Sequence, residues 1–92
     1  MKTKVSYTKN ARRDIRNLDR KDGVKIASKI EFYSKQKNPL RYAKKLKPPF
    51  DDLYRFRIGE YRAVFEIDAK KNILFLTILK MGIERKFTNS GF

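Results

Sequence analysis

The stretch Leu53–Ile67, L-Y-R-F-R-I-G-E-Y-R-A-V-F-E-I, decides how this chain folds. Tyr54, Phe56 and Ile58 alternate with Leu53, Arg55 and Arg57, the period of a strand with one apolar and one charged face. Gly59-Glu60 breaks the alternation, and a two-residue loop that opens on Gly suits a type II′ hairpin turn. Pairing across that turn sets Ile58 against Tyr61, Phe56 against Ala63 and Tyr54 against Phe65, which makes one apolar face. The other face sets Arg57 directly across from Arg62, with Arg55 one step away. Like charges in opposed positions destabilise a sheet. A sequence shaped by folding alone avoids that arrangement, so this face points to an anionic ligand.

Composition narrows the ligand. Ninety-two residues make one small domain, spanning 1–92, that buries roughly 60–65% of its unfolded surface. Lys and Arg number 24 against 10 Asp and Glu, a net charge of +14 that solubility does not require. Such an excess calls for a polyanion or an acidic protein. At 40% hydrophobic the chain is too apolar for a disordered basic tail. It has no run long enough to span a membrane and no signal-peptide pattern, so no membrane partner is expected and the cytoplasm is the default. There is no Cys and no His. That removes thiolate nucleophiles and imidazole acid–base catalysis, and it leaves scattered carboxylates as the remaining metal donors; no metal and no cofactor is expected.

Outward from the hairpin, Lys2–Tyr7 reads as a short strand. Thr8 is a candidate N-cap, followed by Ala11, Ile15 and Leu18 at helical spacing. Asp19 caps a second helix with Asp22 at its N3 position, and Ile26, Ala27, Ile30 and Tyr33 form its apolar stripe to about Lys35. Gly23 weakens the first turn and shifts the expected start a turn later. The two helices should form an antiparallel hairpin. Their outer faces carry Arg12, Arg13, Arg16, Arg20, Lys21, Lys25 and Lys29, which fits either a solvated surface or a polyanion-binding one. Asn38-Pro39 stops the helix, and Lys44, Lys45 and Lys47 lead to the rigid Pro48-Pro49 connector. Asp68–Asn72 is a second turn; Ile73–Met81 is a central strand ended by Gly82.

Strict alternation along that strand puts Leu74, Leu76 and Ile78 on one face, grouped with Val64, and Ile73, Phe75, Thr77 and Leu79 on the other. The helices can cover only one face, so the second calls for the C-terminal segment or a partner chain. The order predicts an α+β fold: an N-terminal strand, a two-helix hairpin, then a three-strand antiparallel meander with the helices on one sheet face.

This order, with the core L-Y-R-x-R-x-G-x-Y-R-x-V-F, resembles the RelE/ParE superfamily of bacterial toxins over nearly the whole chain. The resemblance implies the toxin half of a type II toxin–antitoxin pair, partnered by an acidic antitoxin. RelE-like branches cut mRNA in the ribosomal A site; ParE-like branches poison DNA gyrase. The basic residues of the RelE-like nuclease strand fall on Arg55 and Arg57, the Arg of the following Y-R pair on Arg62, and the Arg after the last strand on Arg85. Many members also carry a C-terminal Tyr. Here no Tyr follows Tyr61 and Phe87 is the nearest aromatic, which can stack on a base but cannot carry a proton.

Two main readings therefore stand. In the first the chain is a ribosome-dependent, metal-independent mRNA endoribonuclease, with Arg55, Arg57, Arg62 and Arg85 catalytic and Lys44, Lys45, Lys47, Lys80, Lys86 and Phe87 gripping RNA. The alternative is a gyrase inhibitor without nuclease chemistry. A non-catalytic nucleic-acid-binding module is a third. Glu66 shares the Arg62 face and is a candidate base, or an ion-pair partner for the arginines.

Overall fold

The computed structural model describes residues 2–83. Strand β1 (Lys2–Tyr7) alternates in exposure as its sequence demands. Thr8 then does two jobs. Its side-chain oxygen accepts from the Ala11 N–H at 3.1 Å, capping helix α1 (Lys9–Arg16), and its hydroxyl donates to the Leu79 carbonyl at 3.0 Å. α1 stops two residues before Leu18, which instead packs into the core from the linker.

Helix α2 (Arg20–Ser34) has Asp19 at its N-cap position, but no side-chain capping bond forms there. Asp22 is not engaged in a capping box; its carboxylate accepts the Tyr61 hydroxyl at 2.9 Å. The helix keeps its first turn despite Gly23. That glycine is buried, and a Cβ there would lie 3.3 Å from the Ile15 side chain, so its absence lets the helices approach.

The sheet has five strands in the order β1-β5-β4-β3-β2. β3 (Tyr54–Ile58) and β4 (Tyr61–Lys70) pair in the expected register, including Arg57 opposite Arg62. Gly59 has φ +61° while Glu60 is not in the left-handed region, as a type II′ turn requires. Three boundaries differ from expectation. The segment read as a basic loop forms an edge strand, β2 (Ala43–Lys45), so the antiparallel part has four strands rather than three. β4 runs on to Lys70, because Lys71 and Asn72, at φ 48° and 66°, close a turn of only two residues. β5 (Ile73–Ile83) passes through Gly82, which pairs with Arg62. β1 runs parallel to β5, reached through the two helices.

The division of the sheet into faces turns on one irregularity. Val64 pairs with Lys80, yet Phe65 pairs with Ile78, so Leu79 is an extra residue in β5. The insertion reverses the alternation beyond it, turning Met81 toward the helices and Lys80 away. Leu74, Leu76 and Ile78 join Phe56, Phe65 and Met81 under α1 and α2, packed with Ala11, Ile26 and Ile30. Val64 is not grouped with them, contrary to the expectation from sequence, because the two-residue turn sets Phe65 rather than Val64 on their face. It belongs to a second, smaller cluster on the opposite face with Leu46, Phe50, Leu53 and Leu79. Cover on that side thus comes in part from this chain's own 46–53 segment, cinched by a Leu46 N–H to Leu53 carbonyl bond of 2.9 Å.

Beyond Tyr7, no strand among the described residues lies on the outer side of β5, and α1 takes over. The Thr8 N–H donates to the Ile78 carbonyl at 2.9 Å, and the Asp14 carboxylate accepts the Met81 N–H at 3.0 Å. Removing that acceptor leaves a part-buried amide unsatisfied. Asp14→Ala should therefore lower stability by about 1–3 kcal/mol, read as a reduced urea midpoint with an unchanged slope; Asp14→Asn, which keeps an acceptor oxygen, should lose less.

Candidate nucleic-acid interface

The face away from the helices gathers most of the predicted cations. Register places Lys44, Arg55, Val64 and Lys80 in one row across β2, β3, β4 and β5, and Arg57, Arg62 and Gly82 in the next. With strands about 4.8 Å apart, the first row spans about 14 Å. Arg57 and Arg62 form the second pair from a two-residue turn, a position where opposed Cα atoms lie about 4.5 Å apart and side chains run close together. Arg57, Lys44 and Lys80 are exposed; Arg55 and Arg62 are half-buried. Lys80 reaches this face only because of the Leu79 insertion, which alternation in the sequence does not reveal.

Not every expected residue joins. Lys45 pairs with Tyr54 and so belongs to the helix side of the sheet, while Lys47 sits in the turn whose carbonyl accepts the Phe50 N–H. Arg85, Lys86 and Phe87 lie outside the described residues. Glu66 shares the face but pairs with Thr77, four residues along β4 from Arg62, or about 13 Å. It stands away from the Arg57–Arg62 pair but only two residues from Val64, the position opposite Arg55.

Between Arg55 and Lys80 the row is floored by Val64, fully buried under the 46–53 segment. Sequence reasoning missed this floor. The signal was present in Leu46, Phe50 and Leu53, spaced around Pro48-Pro49 in an otherwise polar connector. At the hairpin end, the bond to the Asp22 carboxylate, with desolvation second, holds the Tyr61 phenol above its ordinary value. Tyr7 is also raised, first by burial and then by the nearby Glu31 carboxylate.

The described residues contain no helix long and apolar enough to cross a membrane. The sequence model of a family described as the ParE toxin of the type II toxin–antitoxin system, parDE, matches residues 5–84. This chain belongs to the RelE/ParE superfamily of toxins.

Solved structures agree in fold. The chain is similar to one in the toxin–antitoxin complex RelBE2 from Mycobacterium tuberculosis, at 26% identity and a TM-score of 0.69, covering 91% of this chain and 100% of that one. The YoeB/ParE toxin from Agrobacterium tumefaciens aligns at 16% identity and a TM-score of 0.66 over 91% and 99% of the two chains. YafQ from E. coli aligns at 12% identity and 0.59 over 95% and 99%. No curated protein sequence matches significantly. For this superfamily member the α+β expectation holds, with the sheet extended to five strands.

Two outcomes follow from this geometry. If Arg57 and Arg62 repel across the hairpin, Arg57→Gln leaves the isolated toxin equally stable or slightly more so in thermal melts; a melting point lowered by several degrees would make the pair structural. For Tyr61, a raised folded-state value favours the neutral phenol, so its stabilisation is complete below about pH 10, the ordinary phenol range, and is lost as pH rises through the raised value. Tyr61→Phe should be less stable at neutral pH, and its deficit should shrink in urea titrations taken above about pH 10.

Proposed function

We propose that this toxin is a ribosome-dependent mRNA endoribonuclease that needs no metal, held inactive by an acidic antitoxin. The observation that carries the reading is the register pairing Arg57 with Arg62, one step from the row of Lys44, Arg55 and Lys80, on the face left open by the helices. Cleavage by 2′-hydroxyl attack passes through a phosphorane whose added charge must be stabilised. Planar, permanently charged guanidiniums suit that task and contact phosphate oxygens in pairs. They are poor proton carriers, and Glu66, about 13 Å along β4 from Arg62, does not stand beside that pair. The ribosome therefore contributes by fixing mRNA for in-line attack, an effect of several kcal/mol. Without a Tyr after Tyr61, the rate is expected to be slow. The antitoxin follows from superfamily membership and from the net charge of +14, and complexes such as RelBE2 pair a toxin with an antitoxin.

A second reading, a gyrase-directed toxin without nuclease chemistry, draws support from the family description, which names ParE, and from the same missing Tyr. The order of events on induction separates the two: translation stops first for the nuclease, replication first for the gyrase poison. For the nuclease, Arg62→Ala should lower the single-turnover rate on programmed ribosomes by about 10²-fold or more, the scale of one lost contact to transition-state charge, with ribosome binding nearly intact. Cleavage should persist in EDTA. Brisk cutting of free RNA that ignores Arg62→Ala would place the chemistry elsewhere.

A further inference from the structure

Beyond the arginine face, the helix side of the molecule carries rings that the core does not need. Phe32 is 51% exposed and Tyr42 44% exposed, large values for aromatic side chains in a small domain. The rings are ordered against one another. Tyr42 stacks on Tyr33 at 5.0 Å and 19°, Phe32 meets Tyr33 edge-on at 5.9 Å, and Tyr33 in turn rests on buried Phe56 at 5.0 Å. The outer rings are thus held on a rigid backing.

Cations are interleaved with them. The Lys29 Nζ lies 5.5 Å from the Phe32 ring centre and 5.8 Å from that of Tyr33, and exposed Arg41 precedes Tyr42. Aromatic faces among phosphate-neutralising cations are the elements of a single-stranded nucleic-acid site, in which bases stack and the backbone follows the charge. A docking patch for an acidic protein would also use the cations, but it gains little from stacked ring faces. Position completes the case. The 3₁₀ turn Pro39–Tyr42 runs straight into β2, the free edge of the sheet, and Lys44, two residues after Tyr42, stands in the basic row on the other face.

We propose that Tyr42 and Phe32 form a base-stacking platform for single-stranded RNA, which crosses from the arginine face around the β2 edge by way of Lys44. The proposal rests on the RNA reading above and adds a contact region outside the cleavage face.

The test is the affinity of the purified toxin for a fluorescein-labelled oligouridylate, by anisotropy across a salt series, with melts to confirm folding. Tyr42→Leu keeps apolar cover but removes the ring. It should weaken binding about tenfold, within the range for one lost base–ring stack, while the slope of log affinity against log salt stays unchanged. Tyr42→Phe should bind like wild type. Arg57→Gln should instead flatten the slope by about 0.7, the value for one phosphate contact on a single strand. If Tyr42→Leu binds like wild type while Arg57→Gln weakens binding, the platform is overturned and the RNA reading survives. If wild type binds no oligouridylate at any salt, the platform falls, while the ribosome-dependent reading is decided separately by cleavage on programmed ribosomes. Should Tyr42→Leu misfold, Phe32→Leu carries the same expectation.

Discussion

A single extra residue in β5, Leu79, governs the arrangement of this toxin. It leaves the register from the Lys71-Asn72 turn to Ile78 unchanged and reverses the faces beyond it, so Met81 enters the main core and Lys80 turns to the opposite face. A bulge of this kind disrupts the local ladder and leaves backbone groups to be satisfied by other means. Here α1 does so. Thr8 takes the carbonyls of Ile78 and Leu79, and Asp14 takes the amide of Met81. The helix is thereby fixed to the strand by polar contacts as well as by its buried Ala11.

The same insertion separates two physical environments within one thin sheet. On the helix side the contacts are ring on ring and aliphatic on aliphatic, with Phe56 and Phe65 stacked at 4.4 Å. On the other side the cations stand beside an apolar floor, Val64. Such a floor keeps water from one flank of each charged group, and a charge in a lower dielectric acts more strongly on a nearby phosphate. The aliphatic stems of Arg55 and Lys80 also gain a surface to lie against. The opposed Arg57 and Arg62 stand on the face away from the core that stabilises the domain.

Much of this was legible in the sequence where the chain is locally regular. The register from Tyr54 to Phe65 followed from alternation around Gly59-Glu60, because a two-residue turn leaves one way to pair the strands. Thr8 declared itself as a cap by residue type and position. What was hidden depends on distant partners. The Leu79 bulge leaves no local mark, since every residue from Ile73 to Leu79 except Thr77 is apolar and either face suits it. β2 has only three residues, two of them lysines, and exists because β3 offers it an edge. Asp22 sits where a capping residue would sit, but the phenol of Tyr61, far along the chain, claims it. Of the site, the three arginines were readable as one face of like charge and Lys80 was named beside them, but the side of the sheet on which Lys45 lies was not legible.

The parallel pairing of β1 with β5 also bears on how the protein comes into being. β1 leaves the ribosome before the other described strands, and its partner, residues 73–78, leaves after β2, β3 and β4. Contacts that close a loop of that length form late and slowly relative to local ones. Until β5 emerges, α1 has no strand to anchor it through Thr8 and Asp14, and Arg62 of β4 lacks its other neighbour. A growing chain therefore has no assembled basic face until β5 is made. A ribosome that is making this protein meets the finished surface only after that strand has emerged.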